Sequence, residues 1–274
     1  MPLATNLIAS REKHSITEAI LSIFLLQPLI KPSRFKELLT EGHPLNNRFQ
    51  HFQIQQSLNF SAEIGVNREL KPDLRSTTPQ DMGFIMNAFK NGTPEYILTY
   101  QTNGPAHVIS IHAMQYESWN LFIKDVSIFL NALAQFQQNI FFHTIGLTYI
   151  DQFNWLGEDE LEMKMIFNEN SSYLPPQILE NKGEWNYTFG HTMNIPDKLL
   201  FEHINLGIST VANNNSLLTL SHNVARGFIE NEKELNEKTI TDDIIGEAEY
   251  LHTLNKLFLK SCLKEEILLM IGLN

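Results

Sequence analysis

Histidine is the residue type in this chain best suited to acid–base or metal chemistry near neutral pH. Three of the ten histidines, His191, His203 and His222, fall on three successive segments that are predicted to be strands. A hairpin that turns at Asp197 places His191 directly opposite His203, whereas a turn at Asn214 points His222 to the other face of the sheet. A three-histidine metal site is therefore disfavoured. A His191–His203 pair remains as the alternative to histidines that simply lie on the sheet surface.

Two further residues could take part in such a site. Tyr149 and Asp151 are two positions apart on the strand predicted near 142–154, so their side chains point to the same face of the sheet. Together with His191 and His203 they form a candidate site in a crevice between the sheet and a helix. Such a crevice is typical of an enzyme or of a small-ligand binder.

The common nucleophile, nucleotide and metal motifs do not occur in the sequence. No Gly-x-Gly, Gly-Lys-Ser/Thr or Gly-x-Ser-x-Gly is found, which disfavours dinucleotide, P-loop and serine-hydrolase sites. The single cysteine, Cys262, excludes zinc fingers and a disulfide scaffold, and its apolar neighbours indicate a packed residue rather than a nucleophile. We therefore assign no catalytic residue, no cofactor and no metal, and an enzyme is the less favoured class.

Acidic residues outnumber basic ones, and the excess lies in the second half of the chain. The 31 acidic and 20 basic residues give a net charge of −11. Residues 1–155 hold 12 acidic and 11 basic residues, so residues 156–274 carry a net charge of −10. Direct nucleic-acid binding is disfavoured, because it needs an excess of Lys and Arg to displace counterions from the phosphates.

Most of that negative charge lies in two clusters of the second half. Catalytic carboxylates need a pocket that separates their pKa values, and these clusters have few apolar neighbours, so they are expected on solvated surfaces. Their functional alternative is docking of another protein with a basic surface, since opposite charges accelerate encounter. The candidate partner-binding residues are Glu158, Asp159, Glu160, Glu162, Glu230, Glu232, Glu234 and Glu237.

The sequence shows no targeting segment. Residues 1–15 are polar, and no window approaches the roughly 18–20 apolar residues of a membrane-spanning helix. With a single cysteine in addition, we expect a cytoplasmic protein that does not enter a membrane.

Alternating apolar and polar residues predict strands through most of the chain, most clearly over Phe52–Ile64. The other predicted strands are Ile16–Leu25, Gly83–Phe89, Tyr96–Thr102, His107–Ala113, Phe141–Trp155, Trp185–Ile195, Leu199–Val211 and Leu217–Phe228. Apolar residues at three- and four-residue steps predict two long helices, with Ser118 and Thr241 as their N-caps. These elements predict an α+β fold, in which helices pack largely on one face of an antiparallel sheet.

The order of these elements repeats along the chain. A strand, a short helix, at least three strands and a long helix occur in this order over 14–137 and again over 142–262. This order predicts two similar α+β halves, a near-neutral one over 1–155 and an acidic one over 156–274, packed as one compact unit that shares the strand near 142–154. Internal duplication is a hypothesis, since the match is one of element order. Edge strands of such a sheet need protection, which leaves a homo-oligomer open as well.

The segment Ile145–Asp151 resembles the central strand of a sporadically distributed family of uncharacterised bacterial proteins, which reads approximately Arg-Ile-Gly-Leu-Arg-Tyr-Ile-Asn. The opening Ile16–Leu21, the aromatic helix after Tyr116 and the closing Leu251–Phe258 are similar to that family as well. The resemblance covers nearly the whole chain with short motifs.

The chain departs from the family pattern at three positions of that strand. Thr144 and Thr148 stand where the family has arginines, and Asp151 stands where it has asparagine. The family carries no activity to transfer. Its patchy distribution implies a mobile or defence-associated gene, such as a toxin–antitoxin or anti-phage component.

The function we expect from the sequence is that of a non-catalytic protein-binding accessory or neutralising subunit, in a bacterial defence or toxin–antitoxin operon. The alternative is an enzyme or small-ligand binder that uses a sheet–helix crevice near His191 and His203. An apolar pocket lined by the candidate residues favours this alternative. A broad contact surface over residues 156–274, without a pocket, favours the first.

Overall fold

The computed structural model describes residues 6–11, 14–57, 80–195, 198–210, 216–228 and 232–273, with the backbone alone at Asn103 and Lys198. Within these ranges, eleven strands form one sheet. They are β1 (Leu7–Ala9), β2 (Ile16–Leu25), β3 (His51–Ser57), β4 (Gln80–Lys90), β5 (Thr93–Asn103), β6 (Ala106–Ala113), β7 (Phe141–Trp155), β8 (Trp185–Ile195), β9 (Lys198–Thr210), β10 (Ser216–Gly227) and β11 (Lys233–Glu234).

The strand β7 lies at the centre of the sheet. The strand order is β3-β4-β5-β6-β2-β7-β10-β9-β8, and all of its ladders are antiparallel. At one end of β7, β1 pairs beyond the end of β2, and at the other end β11 pairs beyond the end of β10. Both edges of this 15-residue strand are therefore hydrogen-bonded along nearly their whole length.

The helices pack on one face of the sheet, which we call the covered face. They are α1 (Trp119–Phe136), α2 (Met163–Ile166), α3 (Glu237–Thr239), α4 (Gly246–Cys262) and α5 (Glu265–Met270), with 3-10 helices at Pro32–Leu39 and Pro176–Glu180. Every second strand residue points toward them, which is why Leu98 and Leu147 are fully buried. Phe129 of α1 packs against these strands, and burial of such a side chain stabilises the fold by about 1.5–3 kcal/mol.

The last long helical segment begins earlier than the predicted Thr241. Asn236 Oδ1 accepts a hydrogen bond of 3.0 Å from the backbone of Thr239, and Thr239 Oγ1 accepts one of 3.0 Å from the backbone of Asn236. This reciprocal cap starts α3, and one turn of π-helix (Ile240–Ile245) joins α3 to α4. The prediction at Thr241 was wrong because a Thr, rather than the usual Glu or Gln, completes the cap.

The other face of the sheet, which we call the open face, has no helix packed on it among the described residues. Among the open-face residues that the next sentence names, Glu18 is the one Asp, Glu, Lys or Arg. Its Oε1 lies 2.7 Å from Nδ1 of His112. The open face comprises His51, Gln53, Gln55, Ile85, Asn87, Ile97, Thr99, Gln101, Val108, Ser110, His112, Glu18, Ile20, Ser22, Phe24, Thr148, Ile150, Gln152, Asn154, Thr219, Ser221, Asn223, Phe201, His203, Asn205, Thr188 and Thr192.

The α+β prediction is confirmed, with one large antiparallel sheet and helices on one of its faces. The predicted strand Phe52–Ile64 is seen as β3 up to Ser57, and the rest of it lies outside the described residues. No helix among the described residues is long and apolar enough to cross a membrane.

Candidate functional site

The predicted His191–His203 pair does not form. Ile195 pairs with Lys198, and in this register His191 lies opposite Glu202 while His203 lies opposite Gly190. The predicted turn centre at Asp197 was off by half a residue, and a one-residue change of register moves a side chain to the other face of a sheet. His191 therefore lies on the covered face and His203 is exposed on the open face.

A buried carboxylate joins two of the predicted histidines instead. Glu202 Oε1 lies 2.7 Å from Nε2 of His222, and Glu202 Oε2 lies 3.4 Å from Nε2 of His191. Burial is the larger cause of the raised pKa of the Tyr173 hydroxyl, and Tyr173 lies close enough to Glu202 for that carboxylate to raise it further. The ring of Phe258 stacks on His222 with the centroids 4.0 Å apart, so this His–Glu pair is enclosed by apolar groups. The exclusion of His222 from the site with His203 was correct, since the two lie on opposite faces.

The hydrogen bonds of His222 satisfy both of its ring nitrogens. Nδ1 is 2.8 Å from Oδ1 of Asn255, whose Nδ2 donates to the carbonyl of Leu251 at 3.1 Å. An amide oxygen only accepts, so Nδ1 carries a proton. Nε2 of His222 lies 2.7 Å from Oε1 of Glu202, so both ring nitrogens have hydrogen-bond partners, which makes the burial of this histidine tolerable.

A crevice of about 190 Å³ lies between the central strands, the helices α1 and α4, and the segment that follows α5. It contains Tyr149 and Asp151, two of the four residues that the sequence singled out. Asn255 also reaches it, so one amide connects the crevice with the His222–Glu202 pair. The lining residues are His14, Ser15, Ile16, Tyr116, Trp119, Tyr149, Asp151, His252, Asn255, Lys256, Leu259, Ile271 and Leu273.

Local sequence explains how these side chains converge. Tyr149 and Asp151 alternate along β7 and both point to the covered face. His252 and Asn255 are three residues apart on α4, and therefore lie on the one side of the helix that faces β7. Ser15 precedes β2, which pairs with β7 at Asp151.

Aromatic side chains form one wall of the crevice. The hydroxyl of Tyr149 is 2.9 Å from Nδ1 of His252, and its ring meets the ring of Tyr116 edge to face. The ring of His252 stacks on Trp119 at 4.2 Å between centroids and 7° between planes. Burial, together with the charge of Lys256, lowers the pKa of His252 to about 4, so its imidazole is neutral at pH 7 and Nδ1 can accept from Tyr149.

Asp151 is the buried carboxylate of the crevice. Ser15 Oγ donates to its Oδ1 at 2.5 Å, and among the described residues this is its one side-chain hydrogen bond. Burial raises the pKa of the Asp151 carboxyl to about 6, and the Ser15 hydrogen bond opposes that rise. At pH 7 the crevice therefore holds a negative charge with a single donor, an arrangement that usually marks a functional site.

The two acidic clusters lie far apart. Glu158, Asp159, Glu160 and Glu162 are exposed just after the end of β7 at Trp155. Glu232 and Glu237 are exposed and Glu234 is half-buried beside the start of β7, while Glu230 lies outside the described residues. At roughly 3.4 Å per residue along β7, about 45 Å separates the clusters. They form two small surfaces rather than one.

No family model, curated protein or solved structure matches this chain. The site therefore has to be judged on its own geometry. Among the described residues, no three His, Cys, Asp or Glu side chains are arranged to hold a metal ion. Cys262 is fully buried, as predicted, and burial raises the pKa of its thiol to about 12, which disfavours the reactive thiolate form.

Sequence reasoning missed most of the residues that line the crevice. The resemblance gave a signal for two of the segments that carry them, the aromatic helix after Tyr116 and the segment Leu251–Phe258, and none for His14 and Ser15. The missed residues are His14, Ser15, Tyr116, Trp119, His252 and Asn255 in the crevice, and Glu202 on β9 as the partner of His222.

Proposed function

We propose that this chain binds a small ligand in the crevice between β7, α1 and α4. The single observation that carries this proposal is the buried Asp151 carboxylate, which faces aromatic walls and has one side-chain donor, Ser15, among the described residues. A largely apolar pocket with a few convergent polar groups and a shifted pKa is the usual form of a ligand site. We assign no catalytic step to it.

A ligand screen with a blocked variant tests this proposal. Ile16 is half-buried at the crevice, and Ile16→Trp fills it with a larger ring. Ile150→Trp is the matched control, because Ile150 is half-buried on the opposite, open face. We expect compounds found by ligand-observed NMR with the wild-type chain to be lost with Ile16→Trp and kept with Ile150→Trp. If Ile16→Trp binds the same compounds as the wild-type chain, or if no compound binds the wild-type chain, the proposal is contradicted.

A second candidate function is that of the protein-binding accessory subunit expected from the sequence. The observation that favours it is the open face, which spans nine strands and is polar but nearly uncharged. Such a face offers no counter-charge to a strongly basic or acidic surface, so the partner we propose is a protein with a neutral, hydrogen-bonding surface. A role in a defence or toxin–antitoxin operon, in the cytoplasm, rests on the family resemblance alone.

Two phenylalanines on opposite faces test the partner hypothesis. Phe201 is 40% exposed on the open face and Phe189 is 38% exposed on the other face, near the edge of the sheet. We expect a protein that co-purifies from the native host to be lost with Phe201→Asp and kept with Phe189→Asp. Loss with both variants, or with neither, contradicts the use of the open face.

We further infer that the two halves arose by duplication, which the arrangement of the strands supports. β2 and β7 lie side by side at the centre, and a 3-10 helix lies between each of them and the next long strand, preceded by α2 in the case of β7. β6 precedes α1 and pairs with β2, while β10, the last long strand before α4, pairs with β7. A crystal structure in which β2–β6 and α1 did not superpose on β7–β10 and α4 would remove this inference.

A further inference from the structure

We propose that the ligand of the crevice is a small cationic amine, held by the Asp151 carboxylate and by the aromatic side chains beside it. This inference rests on the proposed function, and it adds the chemical class of the ligand.

The carboxylate has room for further donors. Asp151 is 2% exposed, and Ser15 Oγ at 2.5 Å supplies its side-chain hydrogen bond. No Lys or Arg among the described residues contributes to its electrostatics. A buried carboxylate is costly unless a cation or several donors accompany it. An ammonium group supplies both, with a positive charge and up to three N–H donors.

The aromatic wall of the crevice also favours a positively charged ligand. Tyr116 and Tyr149 meet edge to face at 5.6 Å between centroids, and both rings line the crevice. Trp119 lies next to them, and its indole N–H donates to the Glu249 carboxylate. The faces of such rings attract cations, most strongly when water is excluded. The charge of Glu249 acts on Tyr116 and Tyr149, so it adds a second negative charge beside the aromatic wall.

The remaining polar groups disfavour an anionic ligand. His252 is neutral at pH 7, so it adds no positive charge to the crevice. Lys256 lines the crevice, but its side chain is exposed, so solvent screens its charge more strongly than that of the buried Asp151. A ligand carboxylate or phosphate would meet the Asp151 charge at close range. The volume of about 190 Å³ is below the roughly 300–1,000 Å³ of drug-sized pockets, so the amine must be small.

A matched set of probes separates the ligand class from the existence of the site. Butylamine, 1-butanol and butyrate share one chain and differ in charge, and their binding at pH 7.5 is measured by saturation-transfer NMR on the full chain. The variants are Asp151→Asn, which keeps the shape and removes the charge, and Asp159→Asn, the same change at an exposed position. We expect butylamine to bind at least tenfold more tightly than the other probes, with this preference lost in Asp151→Asn and kept in Asp159→Asn.

A second variant reports on the aromatic wall. Trp119→Leu keeps an apolar side chain but removes the ring, and we expect it to weaken butylamine several-fold while leaving 1-butanol unchanged. If 1-butanol or butyrate binds as well as butylamine, and Ile16→Trp abolishes that binding, the amine class is wrong and the crevice remains a ligand site. If no probe binds, or if Asp151→Asn and Asp159→Asn behave alike, the amine proposal is overturned.

Discussion

The core beneath α1 and the core beneath α4 are built from different kinds of side chain. Beneath α1, aromatic rings pack on one another, as Phe49 and Phe129 do with their centroids 5.1 Å apart. Beneath α4, buried ionisable and amide groups are interspersed with the apolar ones, and they include Asp151, Glu202, His222, Arg226, His252 and Asn255. Both cores cover the same sheet, so stability alone does not require the polar groups. Three of the six, Asp151, His252 and Asn255, line the crevice, and they are the groups on which the proposed ligand site rests.

The largest expected effect comes from the aromatic side. Phe129 is fully buried between Phe49 and Tyr96, and Phe129→Ala should lower the free energy of unfolding by about 3–5 kcal/mol, because it leaves a cavity. Phe189→Ala is the control, since Phe189 is 38% exposed, and should cost less than about 1 kcal/mol. Urea unfolding followed by circular dichroism measures both. Equal losses of unfolding free energy in Phe129→Ala and Phe189→Ala would contradict the role of Phe129 in stabilising the core beneath α1.

The next effect concerns the pair of Glu202 and His222. Glu202→Leu or His222→Phe leaves the other partner buried without its hydrogen bond, which should cost about 2–3 kcal/mol in either case. The double variant replaces both partners by apolar groups and should lose clearly less than the sum of the two losses. Urea unfolding of the two single variants and the double variant gives the coupling free energy between the two side chains. Strictly additive losses would mean that the two side chains do not act as a pair.

The crevice predicts two opposing dependences of stability on pH. Asp151 has a raised pKa of about 6 in the folded chain, so it opposes folding above pH 6, and this cost disappears as the pH falls to about 4. His252 has a lowered pKa of about 4 in the folded chain. The free energy of unfolding therefore falls as the pH drops from about 6.5 to 4, where the unfolded chain binds a proton at this group and the folded chain does not. Each contribution is at most about 3 kcal/mol, from 1.36 kcal/mol per pKa unit.

Two variants separate these contributions. Asp151→Asn should stabilise the chain at pH 7.5 and make it lose stability more steeply toward pH 4.5. His252→Asn keeps an acceptor for Tyr149. In this variant the free energy of unfolding should rise as the pH falls from 7.5 to 4.5. Urea unfolding at several pH values measures the slopes. Slopes equal to that of the wild-type chain would show that neither group is buried as described.

The smallest effect is expected at the exposed acids. Glu160 lies 3.9 Å from Lys182 on the surface, and Glu160→Gln should change the free energy of unfolding by no more than about 0.5 kcal/mol. A larger loss of unfolding free energy, measured in the same way, would contradict the expectation that buried polar groups affect stability more than exposed ones.

The sequence predicts those parts of the molecule that depend on local pattern. The alternation along β7 places Tyr149 and Asp151 on one face, and this placement is confirmed by their burial. The histidine pair failed because the parity of a hairpin depends on whether its turn has an odd or an even number of residues. The approach of Ser15 and His252 to Asp151 depends on long-range pairing and helix docking, which no local pattern specifies.

The central position of β7 has a consequence for synthesis of the chain. β2 ends at Leu25, but its partner β7 is complete only at Trp155, about 130 residues later. At roughly 5–20 residues per second, one edge of β2 has no partner strand for about 6–26 s on the ribosome. An unpaired strand edge is a template for wrong pairing. The fold therefore exposes its own centre longest while it is being made, and β2 is the strand that a nascent-chain chaperone would have to shield.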